Sequence, residues 1–482
     1  MLFRSLMAAS TQARAQDITI PLPTGGLFVD AKTGQTSPIF AAELHNFSTD
    51  GILLELRPEA VIDLDGTTVL QRVPYTFGAS PRYIDLRSIQ AECDGVTFAR
   101  QFDGSAMTAY LSSQALIADG LDMPLRYNGT TFTAALFTTT TGANVQDFDG
   151  VLAHHDRPYF WRTNGTLEFY YGDVGAVTGA LERYPLDRLG NITGNMMTAV
   201  SVTLDAGENS NDALAIYTTT GMIVVFEGLD PGDANNWGLS TRIQVAPPLS
   251  RFGITRVGAD VWVLTAKGIV SLRDTVSQGQ LALANTVARP ISDEILRLAQ
   301  IAGAEWQLHT SADGSRVIIN YFTDDLQKQF IWQADSKAWQ TADYPARFWH
   351  NLGLKTQFTT PDGHLGEIID SDDATEEITA VWHTGWFSAG GDRTVVYVRP
   401  TIIAKEALTV KVTVLRDYNE TDADIAEAEQ TITIEPETPP NPGRMISLNE
   451  DIAIGVTGQA FQLRIEVTAT WAQIVSMKVG IE

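Results

Sequence analysis

Seven histidines, at positions 45, 154, 155, 309, 350, 364 and 383, are the side chains best suited to acid–base or metal chemistry near neutrality, and their spacing favours neither. No H-x-H or H-E-x-x-H pair occurs, and His154 and His155, placed on a strand, point to opposite sides. Cys93 is the only cysteine, which excludes a thiolate zinc site and an intrachain disulfide. There is no P-loop, no strand followed by G-x-G-x-x-G and no G-x-S-x-G elbow. Acidic turns at 119–122 (DGLD), 147–149 (DFD) and 324–326 (DDL) lack the ligand spacing of an EF-hand. With 58 acidic residues, chance carboxylate pairs are abundant, so a glycosidase pair stays open. No catalytic residue, cofactor site or metal ligand is assigned, and the expectation is a protein that is not an enzyme.

The elements that would position any chemistry are short strands, clearest over residues 213–272. Apolar and β-branched runs at 213–217, 222–226, 242–245, 261–264 and 269–272 are separated by turns at Thr219-Thr220-Gly221, Gly258-Ala259-Asp260 and Ala266-Lys267-Gly268. Glycine tolerates the positive φ such turns need, so each reads as an antiparallel hairpin. Between two hairpins stands Glu227-Gly228-Leu229-Asp230-Pro231. Asp-Pro suits a type I turn, and Trp237 is placed to cover the end of the preceding hairpin.

Gly-turn hairpins recur along the chain, with glycines at 129, 165, 221, 268, 314 and 363. Their mean spacing, about 47 residues, matches one four-stranded propeller blade. Trp161, Trp237, Trp262, Trp332 and Trp339 lie in or beside these hairpins, as aromatics stacked between blades would. The segment 311–315 (SADGS) reads as a plain hairpin turn. One helix interrupts the pattern at 288–300, with Ser292 as N-cap, Asp293 and Glu294 in its first turn, and Ile295, Leu298, Ala299 and Ala302 on one face. Near 370 an acidic run marks a boundary, after which period-two alternation predicts half-buried antiparallel strands. The expected architecture is all-β: an extended N-terminal arm over 1–40, a β-propeller over 41–372 and a β-sandwich over 380–482. A strand from one end of the chain is expected to complete the last blade, and the proline-rich 435–442 to form a surface loop.

The chain has 482 residues, 44% of them hydrophobic, enough for packed cores. Its net charge of −25 argues against a basic nucleic-acid groove and against adhesion to anionic membrane. No apolar run reaches the length of a membrane span, and residues 1–16 read as a flexible arm whose apolar part is too short for a signal peptide.

The order of motifs in "IYTTTGMIVVFEGLDPGDANNW", a Pro-rich link and "GADVWVLTAKGIVSL" resembles the core segment of short-tailed-phage tail hub, nozzle or tubular proteins, also called packaged-DNA stabilisation proteins. The residues that carry the resemblance are Gly221, Gly228, Asp230, Pro231, Trp237, Gly258, Asp260 and Gly268, with Ser292 opening the helix that follows. The opening 22–58 and the strands of 385–418 are similar as well. The resemblance implies a ring, expected as a homohexamer, below the connector in the virion tail and assembled in the host cytoplasm. It would extend the DNA channel, retain the packaged genome until ejection and dock fibres or spikes. An acidic lumen would let DNA slide without sequence-specific binding. Two other classes stay open: a propeller that binds receptor or glycan, expected to be monomeric or trimeric, and a propeller glycoside hydrolase.

Overall fold

A computed structural model describes residues 15–28, 39–64, 66, 68–77, 81–163, 165, 167–203, 212–278, 287–369, 375–418, 429–434 and 445–482. Residues 1–14 and 29–38 of the expected arm, the acidic residues at 370–373 and the 435–442 loop lie outside them. The chain is nearly all β and divides into two compact units. One comprises Ala60–Ala334 and Ala342–Ile369, the other Met1–Glu59, Asp335–Thr341 and Asp370–Glu482. These limits differ from 1–40, 41–372 and 380–482. The strands Phe40–His45, Phe47–Thr49 and Leu54–Leu56 hydrogen-bond within the second unit instead of starting the propeller.

The larger unit is a β-propeller. Among the described residues six small sheets form blades built on antiparallel strands, the first strands of neighbouring blades lying side by side; the third also carries Phe137–Thr139, parallel to Gly179–Pro185 at its edge. The first begins with Gln71–Tyr75, the second with Met107–Leu111, the third with Gly150–His154, the fourth with Met196–Thr203, the fifth with Ile254–Val257 and the last with Phe348–Leu352. The meander Glu305–Thr310, Arg316–Phe322 and Gln327–Gln333 stands in the ring between the fifth blade and the last, its first strand beside the first strands of both. Phe348–Leu352 in turn lies beside Gln71–Tyr75, which closes the circle. The last blade takes its outer strand, Ala60–Asp63, from the N-terminal side, antiparallel to Leu365–Ile368. The completing strand is therefore not one of the N-terminal arm, whose Gln16–Ile20 pairs within the other unit, but one that follows it.

Strand alternation buries a continuous apolar layer between blades. Between the fourth and fifth it contains Ala215, Tyr217, Ile223, Val225, Val261, Val263 and Val270. Trp262 of the fifth blade meets Trp332 of the following meander edge-on, ring centroids 5.0 Å apart. Trp161 is fully buried in the third blade, whereas Trp339 belongs to the other unit, beside Gly26.

The fifth blade has three described strands, and helix α1 (Leu272–Gln278) continues directly from the third, Gly268–Ser271. A 3₁₀ turn, Arg289–Ile291, runs into α2 (Ser292–Leu298), whose Ile295 and Leu298 are buried. Ser292 is not the N-cap. The chain is already helical there, Ile291 occupies the cap, and the Ser292 hydroxyl donates back to the Arg289 carbonyl. Ala302 falls beyond the helix and is exposed.

Glu294 ties α2 to the neighbouring meander. The Arg297 guanidinium and the Lys328 ammonium, at 2.7 and 3.0 Å, hold its carboxyl down at about 2. A carboxylate with a depressed folded-state pKa stabilises above its ordinary value and loses that contribution as pH falls through the folded value. The contribution should therefore be full above pH 4.5 and disappear towards pH 2, worth about 1–2 kcal/mol after solvent screening. Urea midpoints of wild type and Glu294→Gln should converge as pH falls across that interval.

The second unit is a large sheet crossed by two 18-residue strands, Phe387–Ala404 and Ile452–Ala469. The second half of Ile452–Ala469 is flanked by Ile378–Thr384 and Leu408–Arg416, and its first half pairs with Phe387–Ala404. The second half of Phe387–Ala404 pairs with Ala472–Ile481, whose other edge takes Gln16–Ile20 and Leu54–Leu56. Alternation buries Val410, Val412, Leu463, Ile465 and Val467 on one half, and Val398, Ile402, Ile474 and Val479 on the other.

Candidate functional site

In the fourth and fifth blades the motif residues act as fasteners between strands. Strands Met222–Gly228 and Trp237–Gln244 pair antiparallel with Gly228 opposite Trp237. Gly221, at φ +86°, closes the turn before the first of them and packs against the Val245 and Ala246 backbone. At the far end Gly228, at φ +121°, opens the loop. Asp230 accepts the Gly232 amide at 2.9 Å, as an Asp-Pro turn requires, and its second oxygen meets Arg157 of the third blade at 2.8 Å. Pro231 is buried. Trp237 stacks on Phe226, centroids 5.3 Å apart and planes 13° apart. It also begins the strand, which therefore starts earlier than the apolar run at 242–245 suggested.

Gly258 supplies the positive φ of the next hairpin, and Gly268, at φ +108°, that of the one after. Asp260 is the hub between them. One oxygen accepts the amides of Val261 and Arg273 at 2.7 and 3.0 Å. The other accepts the Trp262 indole N–H at 3.1 Å and the Ser271 hydroxyl at 2.6 Å. One carboxylate thus joins two strands to the start of α1.

Three contacts that sequence reasoning missed bind the inner strands into the ring. Gln71 grips Ala106 of the second blade with both ends of its amide, at 2.8 Å each way. Gln307 does the same to Trp349 of the last blade, at 2.8 and 2.7 Å. Arg251, just before the fifth blade's first strand, reaches across the ring to the second and third. It bonds Asp149 at 2.7 Å and the carbonyl and hydroxyl of Ser105. These blades are not neighbours of the fifth, so the guanidinium spans the axial opening at that end. The partners are a backbone carbonyl and a carboxylate over a hundred positions away, and no local pattern announces them.

Arg251→Met should lower stability by about 2 kcal/mol, because Asp149 would keep only its bond to the Thr163 amide. A urea midpoint that does not move would rule out this bracing role.

Three of the histidines are held neutral by burial. His154 and His309 are pushed down to about 4 and His350 to about 3, desolvation being the first cause in each. His154 and His155 do not point to opposite sides. His155 enters the following turn at φ 47°, and the two rings lie 4.1 Å apart. Their bonds go to the Ser201 hydroxyl and the Asp212 carbonyl. In the 311–315 turn Asp313 accepts both serine hydroxyls and the Ser315 amide, which serves the hairpin itself. Among the described residues no group of three or more His, Cys, Asp or Glu is arranged to hold a metal ion. No helix of the described residues is long and apolar enough to cross a membrane.

A cavity of about 470 Å³ opens between the fourth and fifth blades, lined by Thr220, Gln244, Val245, Ala246, Pro247, Thr265, Lys267 and Val270. Its wall is mostly apolar, with a single cation at the hairpin turn.

No family model matches the sequence, and no curated protein matches it. Among solved structures the chain is similar to BamB from Moraxella catarrhalis, at 9% identity over 65% of this chain and 97% of that one, with a TM-score of 0.34. It is also similar to the WD40 β-propeller domain of Doa1, at 8% identity over 65% and 96%, TM-score 0.35. Raptor from Chaetomium thermophilum covers 67% of this chain with 29% of its own, at 9% identity and a TM-score of 0.41. These likenesses carry nothing about activity or partners.

Proposed function

We propose that the protein is a structural component of a short-tailed-phage tail, the hub or nozzle ring below the connector. The observation that carries this reading is the ordered run of Gly221, Gly228-x-Asp230-Pro231, Trp237, Gly258-x-Asp260 and Gly268, in which the sequence resembles that family. In the fold these residues brace strands and blades, as a load-carrying ring component requires. Arg251 spans the propeller axis, so on this reading the DNA conduit is formed by the ring of copies and not by the propeller's own opening. Six copies at −25 each would bring about 150 negative charges around such a conduit, which suits passage of a polyanion without adhesion. The partners are further copies of the chain, the connector, and fibre or spike proteins.

The test is oligomeric state, alone and with the connector of the same virus, by light scattering and negative-stain imaging. A ring on the connector with an opening wide enough for duplex DNA is the expected result. A monomer or trimer that ignores the connector and binds host-surface glycan would overturn the proposal.

A further inference from the structure

Strands Met222–Gly228 and Trp237–Gln244 carry at their opposite ends two features that complement each other. At one end lies the cavity between the fourth and fifth blades. Val245 and Val270 line it, each 6% exposed, together with Ala246 and Pro247. Its polar groups are largely committed. The Gln244 amide donates to the Thr220 and Val245 carbonyls, and the buried Thr265 hydroxyl donates to the Gly268 carbonyl. Lys267 is the one charged residue of the lining; it is exposed, and its ammonium pairs with no carboxylate among the described residues. Lys328, Lys355 and Lys411 each meet a glutamate within 3.0 Å. In a chain with 58 acidic residues, an unpaired ammonium at the mouth of an apolar cleft has the chemistry to receive a carboxylate beside an aliphatic group.

The other end of the same strands presents such a pair. Leu229 is 54% exposed, and Asp233 is exposed in the same loop. The loop is stiff: Asp230 accepts Gly232 N and is tied to Arg157, Asp233 N donates to Asp230 O, and Asn236 N donates to Asp233 O. A knob already held in one conformation loses little entropy when it seats. Seven residues of strand separate the two ends by roughly 20 Å, so a copy cannot fill its own cleft.

We propose that the 229–233 loop of one copy seats in the Lys267 cleft of the next, Leu229 against Val245, Pro247 and Val270, and the Asp233 carboxylate against the Lys267 ammonium. This inference rests on the ring reading and deepens it by naming the self-contact. Such a contact uses different surfaces on the two copies, so it is heterologous and propagates until the rotation closes it into a ring.

Full-length Lys267→Glu should lose its cleft and keep its knob, and Leu229→Asp the reverse. Both sites are on the surface, and far-UV circular dichroism with a melting curve checks that each variant folds as wild type does. By light scattering each variant alone should associate at least tenfold more weakly than wild type. Mixed in equal amounts, the two should form dimers that grow no further, since only one productive contact exists between them. Wild type and both variants are also imaged on the connector. If all three assemble equally, the contact is wrong and the ring reading stands. If the variants are impaired singly but their mixture does not dimerise, the knob-and-cleft pairing is wrong. If wild type forms no assembly either alone or on the connector, both readings fall.

Discussion

Asp260→Ala is expected to lower the stability of the propeller unit by roughly 2–4 kcal/mol, one of the two largest effects among single substitutions here. The carboxylate accepts from the Val261 and Arg273 amides, the Trp262 indole and the Ser271 hydroxyl, and alanine offers none of them a partner. A buried donor left unsatisfied costs about 1–3 kcal/mol. Ser271 can rotate to another acceptor and the Arg273 amide is near solvent, so the four losses do not add. Asp260→Asn should cost less, because an amide oxygen still serves one pair of donors and the serine can reverse its bond to the new NH₂ group. Urea unfolding of the two variants checks the order. Trp262 supplies a second readout: released from Asp260, its edge-on contact with Trp332 should loosen and the near-UV signal weaken. An alanine variant within 1 kcal/mol of wild type would mean that the four bonds are replaced by water at no net cost.

The blade pattern was legible because it is written in local turn chemistry. Gly165, Gly221, Gly268 and Gly363 all fall between the second and third strands of their blades. Gly129, however, separates the third and fourth strands of the second blade, and Gly314 the first and second of its meander. The mean spacing came out near one blade although the glycines are not equivalent, which is why single intervals scattered. Unit boundaries were not legible. Ala60–Asp63 pairs with Leu365–Ile368, and Asp335–Thr341 leaves the propeller for the other unit, both decided by partners far away in sequence. Ser292 failed as a cap for a local reason: the Ala-Arg-Pro stretch before it was already turning helically, so the hydroxyl found a carbonyl instead of an amide. Of the motif residues, Asp260 and Asp230 could be singled out from sequence, but their roles as hub and inter-blade tie depend on Ser271, Arg273 and Arg157 arriving from other elements. The cavity at Lys267 was hidden because its wall comes from three separate turns.

Gly228→Ala should be the most damaging of the glycine substitutions, at about 3 kcal/mol or more. Two penalties coincide there. The φ of +121° lies where L-residues are strained, and an added Cβ would fall well inside 3.0 Å of the Asn236 carbonyl. That oxygen cannot simply step aside. It accepts the Leu229 amide at 3.1 Å, and Asn236 adjoins Trp237, which pairs with Gly228 and stacks on Phe226. Relief therefore requires the strand pair to separate at the root of the loop. Gly258→Ala is the control. Its φ of +60° is positive as well, but a Cβ there meets no atom within 4 Å, so only the conformational cost of roughly 1 kcal/mol applies. The difference between the two melting-derived stabilities isolates crowding from backbone strain. Equal losses at both positions would show that the strand pair opens at Gly228 at negligible cost. A larger loss at Gly228, accompanied by a weakened near-UV signal from the Phe226–Trp237 stack, would show that the glycine is needed for the close approach of the two strands as well as for the turn.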